Sequence, residues 1–397
     1  MLLVTFMKIT KMDNQGRGIT YFNDKIVFVN NALPGEDVEI EIIIDKKKYS
    51  IANVKKFNIK SNNRIKSKCR YCDTCGGCQL QHITYDNQIK YKEMYLNELF
   101  KSLNIKTDAI ELSSQFNYRN KIKFQVNNEI GLYKMNSNEI VKIEKCEIAN
   151  ENINKKIKYI NKLNVDGIDN IIIKSFDEKV MLVINGDENK INIDNIYNSF
   201  DSIYINNKLV KGKRIIAQIN NIKYLISPNS FFQVNIEVAT KMFNYIKEIC
   251  NYLKSKNVID LYCGCGSISI YISSIVNYVY GIEINEDSIK DANKNKLLNN
   301  INNVDFECNT SDNININDKY DTLIVDPPRS GLSKKIINKL LSSTIKNIIY
   351  VSCDPITLKR DLELLSEKYK IKSIKPFDMF PNTYHIECVC ILSLNIS

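Results

Sequence analysis

The sequence predicts a multidomain α/β protein with a C-terminal doubly wound, seven-stranded Rossmann-like domain, an N-terminal OB-like β-barrel and a central β-rich domain. Three observations predict it. From about residue 227, β-branched runs alternate with helical stretches, as a parallel sheet covered on both faces requires. Residues 1–57 hold short runs in which apolar and polar positions alternate, broken by turn residues. Between these regions a ten-residue span carries four cysteines and leads into further strand-like runs.

A chain of 397 residues fits two or three domains, and a hydrophobic fraction of 44% can supply their cores. Lys and Arg total 55 against 45 acidic residues, a net charge of +10. That excess suits a polyanionic partner, and equally a solvated lysine-rich surface. No uncharged run approaches the ~18 residues of a membrane span. The opening MLLVTF has neither basic flank nor cleavage pattern. The expectation is a cytoplasmic monomer without membrane association. In such a chain twelve cysteines point to metal, redox or catalytic use rather than to disulfides.

In the N-terminal unit, Ile26 to Val29 is a short apolar run, Pro34-Gly35 marks a turn, and Val38, Ile40 and Ile42 alternate with Glu39 and Glu41 as in a half-buried strand. A basic connector, residues 58–68, leads into Cys69-x-x-Cys72-x-x-Cys75-Gly-Gly-Cys78. Thiols this dense converge on a soft metal or a cluster, and spacing alone leaves zinc and iron-sulfur level. Ile89, Leu96, Leu99 and Leu103 recur at helical spacing and predict a helix of about 15–20 residues. Strand candidates follow at Ile122, Phe124 and Val126, at Ile171 to Ile173, Val180 to Ile184 and Ile203 to Ile205. Cys146 lies in a polar setting among them, available as a distant ligand.

In the C-terminal third the predicted strands are Val258 to Tyr262, Tyr278 to Ile284, Val304 to Cys308, Thr322 to Asp326, Ile348 to Cys353, Ile371 to Phe377 and Glu387 to Leu392, with helices at Asp287 to Leu298 and Ser333 to Leu341. Asp260-x-x-x-Gly264-x-Gly266 gives a tight turn after the first strand, across which a ligand can lie. Glu283 ends the next strand, where a carboxylate can accept both hydroxyls of a ribose. The turn is not GxGxxG, so the pair describes an adenosine site without a pyrophosphate grip, as S-adenosylmethionine requires. Asp326-Pro-Pro-Arg329 and Ser352-Cys353-Asp-Pro close two further strands. Three strand ends with polar turns suggest one rim of functional groups. Taken alone, Cys353 reads as readily as a small buried hydrophobe, and Glu387 as a surface carboxylate at a strand start.

Eight ordered motifs, CGGCQLQH, YRNKIKF, FFQVN, DLYCGCG, GIE, DPPRSG, YVSCDP and FPNTYHIE, closely resemble the bacterial 23S ribosomal RNA (uracil-5-)-methyltransferases, iron-sulfur members of the RNA 5-methyluridine family. The resemblance implies a TRAM-like barrel over 1–57, a central domain with the cluster over 58–226 and a methyltransferase domain over 227–397. It implies a [4Fe-4S] cluster on Cys69, Cys75, Cys78 and Cys146, with Cys72 additional to the pattern. It also implies S-adenosylmethionine contacts from Gln233, Tyr262, Glu283 and Asp326, a nucleophile at Cys353 and a base at Glu387. These roles are chemically coherent. Carbon 5 of uracil becomes nucleophilic once a thiolate adds at carbon 6, and a base must later remove the carbon 5 proton. The expected partner is 23S rRNA. The alternatives are the same reaction on tRNA, or a non-catalytic RNA-binding protein on this fold.

Overall fold

The computed structural model describes residues 2–395, and they form three sheets and one separate hairpin. The first sheet contains β1 (Leu2–Lys8), β2 (Lys11–Met12), β3 (Gly18–Phe22), β4 (Lys25–Asn30), β5 (Asp37–Asp45) and β6 (Tyr49–Ile59), in the order β1-β5-β6-β4-β3-β2. Its two ends meet: the Thr10 N–H donates to the Ile19 carbonyl at 2.9 Å and the Thr20 hydroxyl to the Lys8 carbonyl at 2.9 Å. The sheet thereby curls into a barrel, which removes its free edges. Alternation along β5 buries Val38, Ile40 and Ile42 with Val27, Val29 and Ala52 in a core of its own.

The cysteine loop follows, and then α1 (Tyr85–Phe100). This helix does more than connect. Leu96 and Phe100 share a core with the C-terminal sheet, and the buried polar residues Gln88 and Lys92 grip the segment after Phe377. Gln88 Nε2 donates to Asn382 Oδ1 at 3.1 Å; Lys92 Nζ donates to Asp378 Oδ1 at 2.6 Å and to the His385 carbonyl at 3.0 Å.

The central sheet is formed by β7 (Lys121–Val126), β8 (Ile130–Tyr133), β9 (Ile140–Val141), β10 (Ile168–Phe176), β11 (Lys179–Gly186), β12 (Ser202–Ile205) and β13 (Lys208–Lys211), ordered β13-β12-β11-β10-β7-β8-β9. Helix α2 (Glu151–Ile160), capped by Asn150, packs Ile153, Ile157 and Ile160 on one face. The hairpin β14 (Ile215–Ile219) and β15 (Ile222–Ile226) then leads to α3 (Ile236–Tyr252). Phe176, Met181 and Val183 of the central sheet belong to the same core as Val258 and Ile349, so apolar packing is continuous between the two sheets.

The last sheet comprises β16 (Asn257–Leu261), β17 (Tyr278–Glu283), β18 (Val304–Cys308), β19 (Thr322–Val325), β20 (Asn347–Ser352), β21 (Tyr369–Phe377) and β22 (Glu387–Leu394). Between them lie α4 (Ser267–Ile272), α5 (Glu286–Leu298), α6 (Lys334–Ser342) and α7 (Pro355–Leu365). The order is β18-β17-β16-β19-β20-β22-β21, parallel except for the final β22, which runs antiparallel to both neighbours. β19 and most of β16 and β20 are buried, as strands covered on both faces should be. The expected seven strands are all present. Four of them end one residue before the sequence pattern suggested, because Tyr262, Ile284, Asp326 and Cys353 already belong to the turns. Among the described residues no helix is long and apolar enough to cross a membrane.

Candidate active site

Strand register assembles the site. β16 pairs with β17 up to Leu261 and Ile282, and with β19 up to Leu261 and Val325. One step further, the same registers put Glu283, Tyr262 and Asp326 in one row across three adjacent carboxyl ends. β20 meets β22 antiparallel, with Ser352 opposite Cys388 as the last pair. One residue beyond, Cys353 faces Glu387. Cross-strand neighbours sit about 5 Å apart. The expected nucleophile and base therefore become neighbours where the β20–β22 ladder ends.

The turn after β16 is shaped for a ligand. Tyr262 has φ 64°, an uncommon left-handed conformation for an aromatic residue. Gly264 follows at φ 55°, and a side chain there would meet nothing within 4 Å, so the turn opens onto free space. Gly266, at φ 78°, is needed for close packing: a Cβ would lie 2.5 Å from the Phe306 ring. The Glu283 carboxylate accepts from the Gly264 N–H at 3.2 Å and the Asn285 N–H at 2.9 Å, which fixes it beside the turn. Behind the turn Ser269 donates to Asp260 Oδ2 at 2.5 Å, while Asp260 Oδ1 is buried without a partner. Burial pushes the Asp260 carboxyl up to about 7.

Gln233 comes from outside the sheet. It is buried in the segment between β15 and α3, where its carbonyl accepts from Asn120 Nδ2 at 2.9 Å. Two residues earlier, the Phe231 carbonyl lies 3.6 Å from Cys265 Sγ, so this segment rests against the β16 turn. Lys174, buried in β10, supports it from below by donating to the Ser227 and Ser230 carbonyls at 2.8 and 3.0 Å. Burial lowers the Lys174 ammonium to about 7, and Lys121 adds to the effect.

Charge around Cys353 is mostly negative. Burial first, then Glu387 and Asp326, push its thiol up to about 12, and Arg329 opposes them. Burial likewise raises the Asp326 carboxyl to about 7 and holds Glu387 well above the ordinary carboxylate range. His385, whose Nε2 is 3.5 Å from the Arg329 guanidinium, is lowered to about 4 by burial and then by Arg329, Lys92 and Arg119. It is neutral near pH 7. Asp354 caps α7 by accepting from the Ile356 and Thr357 N–H groups at 3.0 and 3.1 Å, and Pro355 opens the helix. The nucleophile candidate thus stands on a short, fixed turn between a strand and a helix.

With this geometry established, known proteins resolve the family. The tRNA (Uracil-5-)-methyltransferase profile matches residues 177–317 and 309–395, and the TRAM domain profile matches 4–55. The chain belongs to the RNA (uracil-5-)-methyltransferase family. It is similar to an uncharacterized RNA methyltransferase of Clostridium tetani, at 32% identity over 97% of this chain and 95% of that one. An uncharacterized RNA methyltransferase of Aquifex aeolicus is 32% identical over 98% of both. Among solved structures, the Pyrococcus abyssi tRNA (uracil-54, C5)-methyltransferase in complex with S-adenosyl-L-homocysteine superposes with a TM-score of 0.83 at 27% identity, covering 98% of this chain and 99% of that one. The chain is accordingly an RNA (uracil-5-)-methyltransferase, and the rim described above lies within the region matched by the family profile.

The cysteine-rich loop of this methyltransferase lies apart from that rim. Cys69, Cys72, Cys75, Cys78 and Cys146 line one cavity of about 380 Å³. The loop is pinned to β8, where the Gly76 N–H donates to the Tyr133 carbonyl at 2.9 Å. Cys146 is held by Asn154, which accepts from its N–H at 2.9 Å and donates to its carbonyl at 3.1 Å. Among the described residues no three His, Cys, Asp or Glu side chains stand close enough to share a single metal ion. Five thiols lining one cavity are the donor set that a soft metal or a cluster takes.

Sequence reasoning missed Lys92, Asn120 and Lys174. Lys174 had a signal, a lysine directly after the apolar run Ile171 to Ile173. Asn120 lies within the motif YRNKIKF but its role, like that of Lys92, was hidden because the partners Gln233 and Asp378 are remote in sequence.

Proposed function

We propose that this protein transfers a methyl group from S-adenosylmethionine to carbon 5 of a uridine in 23S rRNA. The observation that carries the reading is the opposition of Cys353 and Glu387 beside the row Glu283–Tyr262–Asp326. Glu283 would accept the ribose hydroxyls, Tyr262 would cover the adenine, and Gln233 and Asp326 would hold the remainder of the donor. The donor supplies an electrophilic methyl group. Cys353 gives up its thiol proton to solvent and its Sγ bonds to carbon 6 of the base; the electron pair displaced from the C5–C6 double bond lets carbon 5 take the methyl, and the pair of the broken methyl–sulfur bond would leave with S-adenosylhomocysteine. Glu387 then accepts the carbon 5 proton, and the electrons of that C–H bond re-form the double bond and expel the Cys353 thiolate. Burial of Glu387 strengthens it as a base for this step.

The motif resemblance favours rRNA. The solved tRNA (uracil-54, C5)-methyltransferase supports a second reading, the same reaction on tRNA. Mass-spectrometric mapping of 5-methyluridine in both RNAs from cells lacking the protein separates them: loss at a 23S position supports the first, and loss in tRNA alone rejects it. The cluster assigned to Cys69, Cys75, Cys78 and Cys146 is [4Fe-4S], supported by the shared cavity and its soft donors. Iron and sulfide analysis of anaerobically purified protein tests it. About four of each per chain is expected, and zinc in place of iron rejects it.

A further inference from the structure

The turn between β2 and β3 of the barrel crosses to the catalytic rim. Asn14 and Gln15 line the same cavity of about 240 Å³ as Cys353, Arg329 and His385. Nothing in the barrel's own packing requires this reach, since its core is formed by Met7, Ile9, Ala32 and residues of β4 to β6.

The turn is held rigidly. Asp13 Oδ1 accepts from the Gln15 N–H at 2.9 Å and the Arg17 N–H at 2.8 Å, and Arg17 Nε donates to Asp13 Oδ2 at 2.8 Å. The Arg17 guanidinium stacks 4.4 Å over the Phe28 ring. Gly16, at φ 77°, sits so close to the cysteine loop that a Cβ would lie 2.6 Å from Leu80 Cδ2. Asn14 shares the cavity lining with Tyr95 of α1, the helix that also fixes the His385 segment. Gln15 is exposed and lines this cavity. A carboxamide offers a donor and an acceptor side by side, matching the alternating acceptors and N–H donor on the pairing edge of uracil.

We propose that the Asn14–Gln15 turn is a wall of the target-nucleotide pocket, with Gln15 contacting the RNA nucleotide presented to Cys353 and Asn14 setting the turn's position. This rests on the uridine C5 methylation reading. It gives the barrel a direct part in substrate selection at the reacting base, beyond holding RNA at a distance.

The test uses the full-length protein with its RNA substrate and S-adenosylmethionine, wild type assayed first. Gln15→Ala and Gln15→Glu are expected to lower kcat/KM for RNA about tenfold. KM for S-adenosylmethionine and the thermal midpoint should stay unchanged. Gly16→Ala, which drives the turn off Leu80, should lower kcat/KM for RNA at least as far. Asp24→Asn, on the exposed β3–β4 turn, serves as the unaffected control. RNA kinetics within twofold of wild type in both Gln15 variants would overturn the proposal, as would an equal rise in KM for S-adenosylmethionine. Absence of C5 methylation by the wild type would sink the underlying reading as well, so the two failures are distinguishable.

Discussion

Substituting Lys92→Met isolates the contact by which α1 controls the catalytic segment. Lys92 and Asp378 are paired at 2.6 Å with side-chain exposures of 4% and 0%, and Lys92 also serves the His385 carbonyl at 3.0 Å. Methionine preserves the apolar stem but leaves a buried carboxylate unpaired. Removing one member of such a pair costs about 3–5 kcal/mol. That is a fifth or more of the ~5–15 kcal/mol that stabilises a typical domain. Urea unfolding followed by circular dichroism should show the loss. Lys92→Met/Asp378→Asn, which removes the unpaired charge as well, should recover more than half of it, giving a clear coupling energy in the double-mutant cycle. Because His385 and Glu387 follow the same segment, methyl transfer should fall while S-adenosylmethionine binding persists. A single variant within about 1 kcal/mol of wild type, or a double variant as unstable as the sum of both singles, would refute the argument.

Other outcomes follow from the same geometry. Cys353→Ala should reduce methyl transfer by at least about 10³-fold without weakening S-adenosylmethionine binding, measured by single turnover and calorimetry. Glu387→Gln should still add to the base but release it slowly, so a protein–RNA adduct accumulates on denaturing gels. With the Cys353 thiol pushed up to about 12, its thiolate fraction should grow tenfold per pH unit between pH 7 and about 10. Iodoacetamide alkylation of Cys353 should follow that slope, and Arg329→Gln, which removes the cation opposing the shift, should slow it. Lys174, lowered to about 7, binds fewer protons folded than unfolded from there up to its ordinary range. The Lys174 contribution should therefore rise with pH from 7 to 8.5 by up to about 1.4 kcal/mol per unit, and because the raised Asp260 and Asp326 carboxyls work the opposite way it is read as the gain of wild type over Lys174→Met in urea titrations.

Much of the catalytic rim was legible because its signals are local. A β-branched run that stops at Gly-x-Gly, Asp-Pro-Pro or Cys-Asp-Pro announces a strand end with a turn, and register then forces these ends into one row. Glu387 was less legible. Its meaning depends on β22 running antiparallel beside β20, which no local pattern states, and only family likeness singled it out. The grip of α1 on Asp378 and Asn382 spans nearly 300 residues of chain, and its helical pattern shows spacing without showing what the buried Gln88 and Lys92 bind. The reach of Asn14 and Gln15 into the Cys353 cavity was hidden for the same reason. Thr20, Gly16 and Leu80 determine where that turn lies, and each looks ordinary in sequence.

The central claim is a transient bond between Cys353 and the target pyrimidine. Its most direct measurement is incubation of the protein with S-adenosylmethionine and substrate RNA carrying 5-fluorouridine, followed by peptide mass spectrometry of the denatured complex. A methylated fluoropyrimidine attached to the peptide containing Cys353 is expected, and no adduct in Cys353→Ala. Attachment at another cysteine, or methylated RNA released from Cys353→Ala at the wild-type rate, would contradict it.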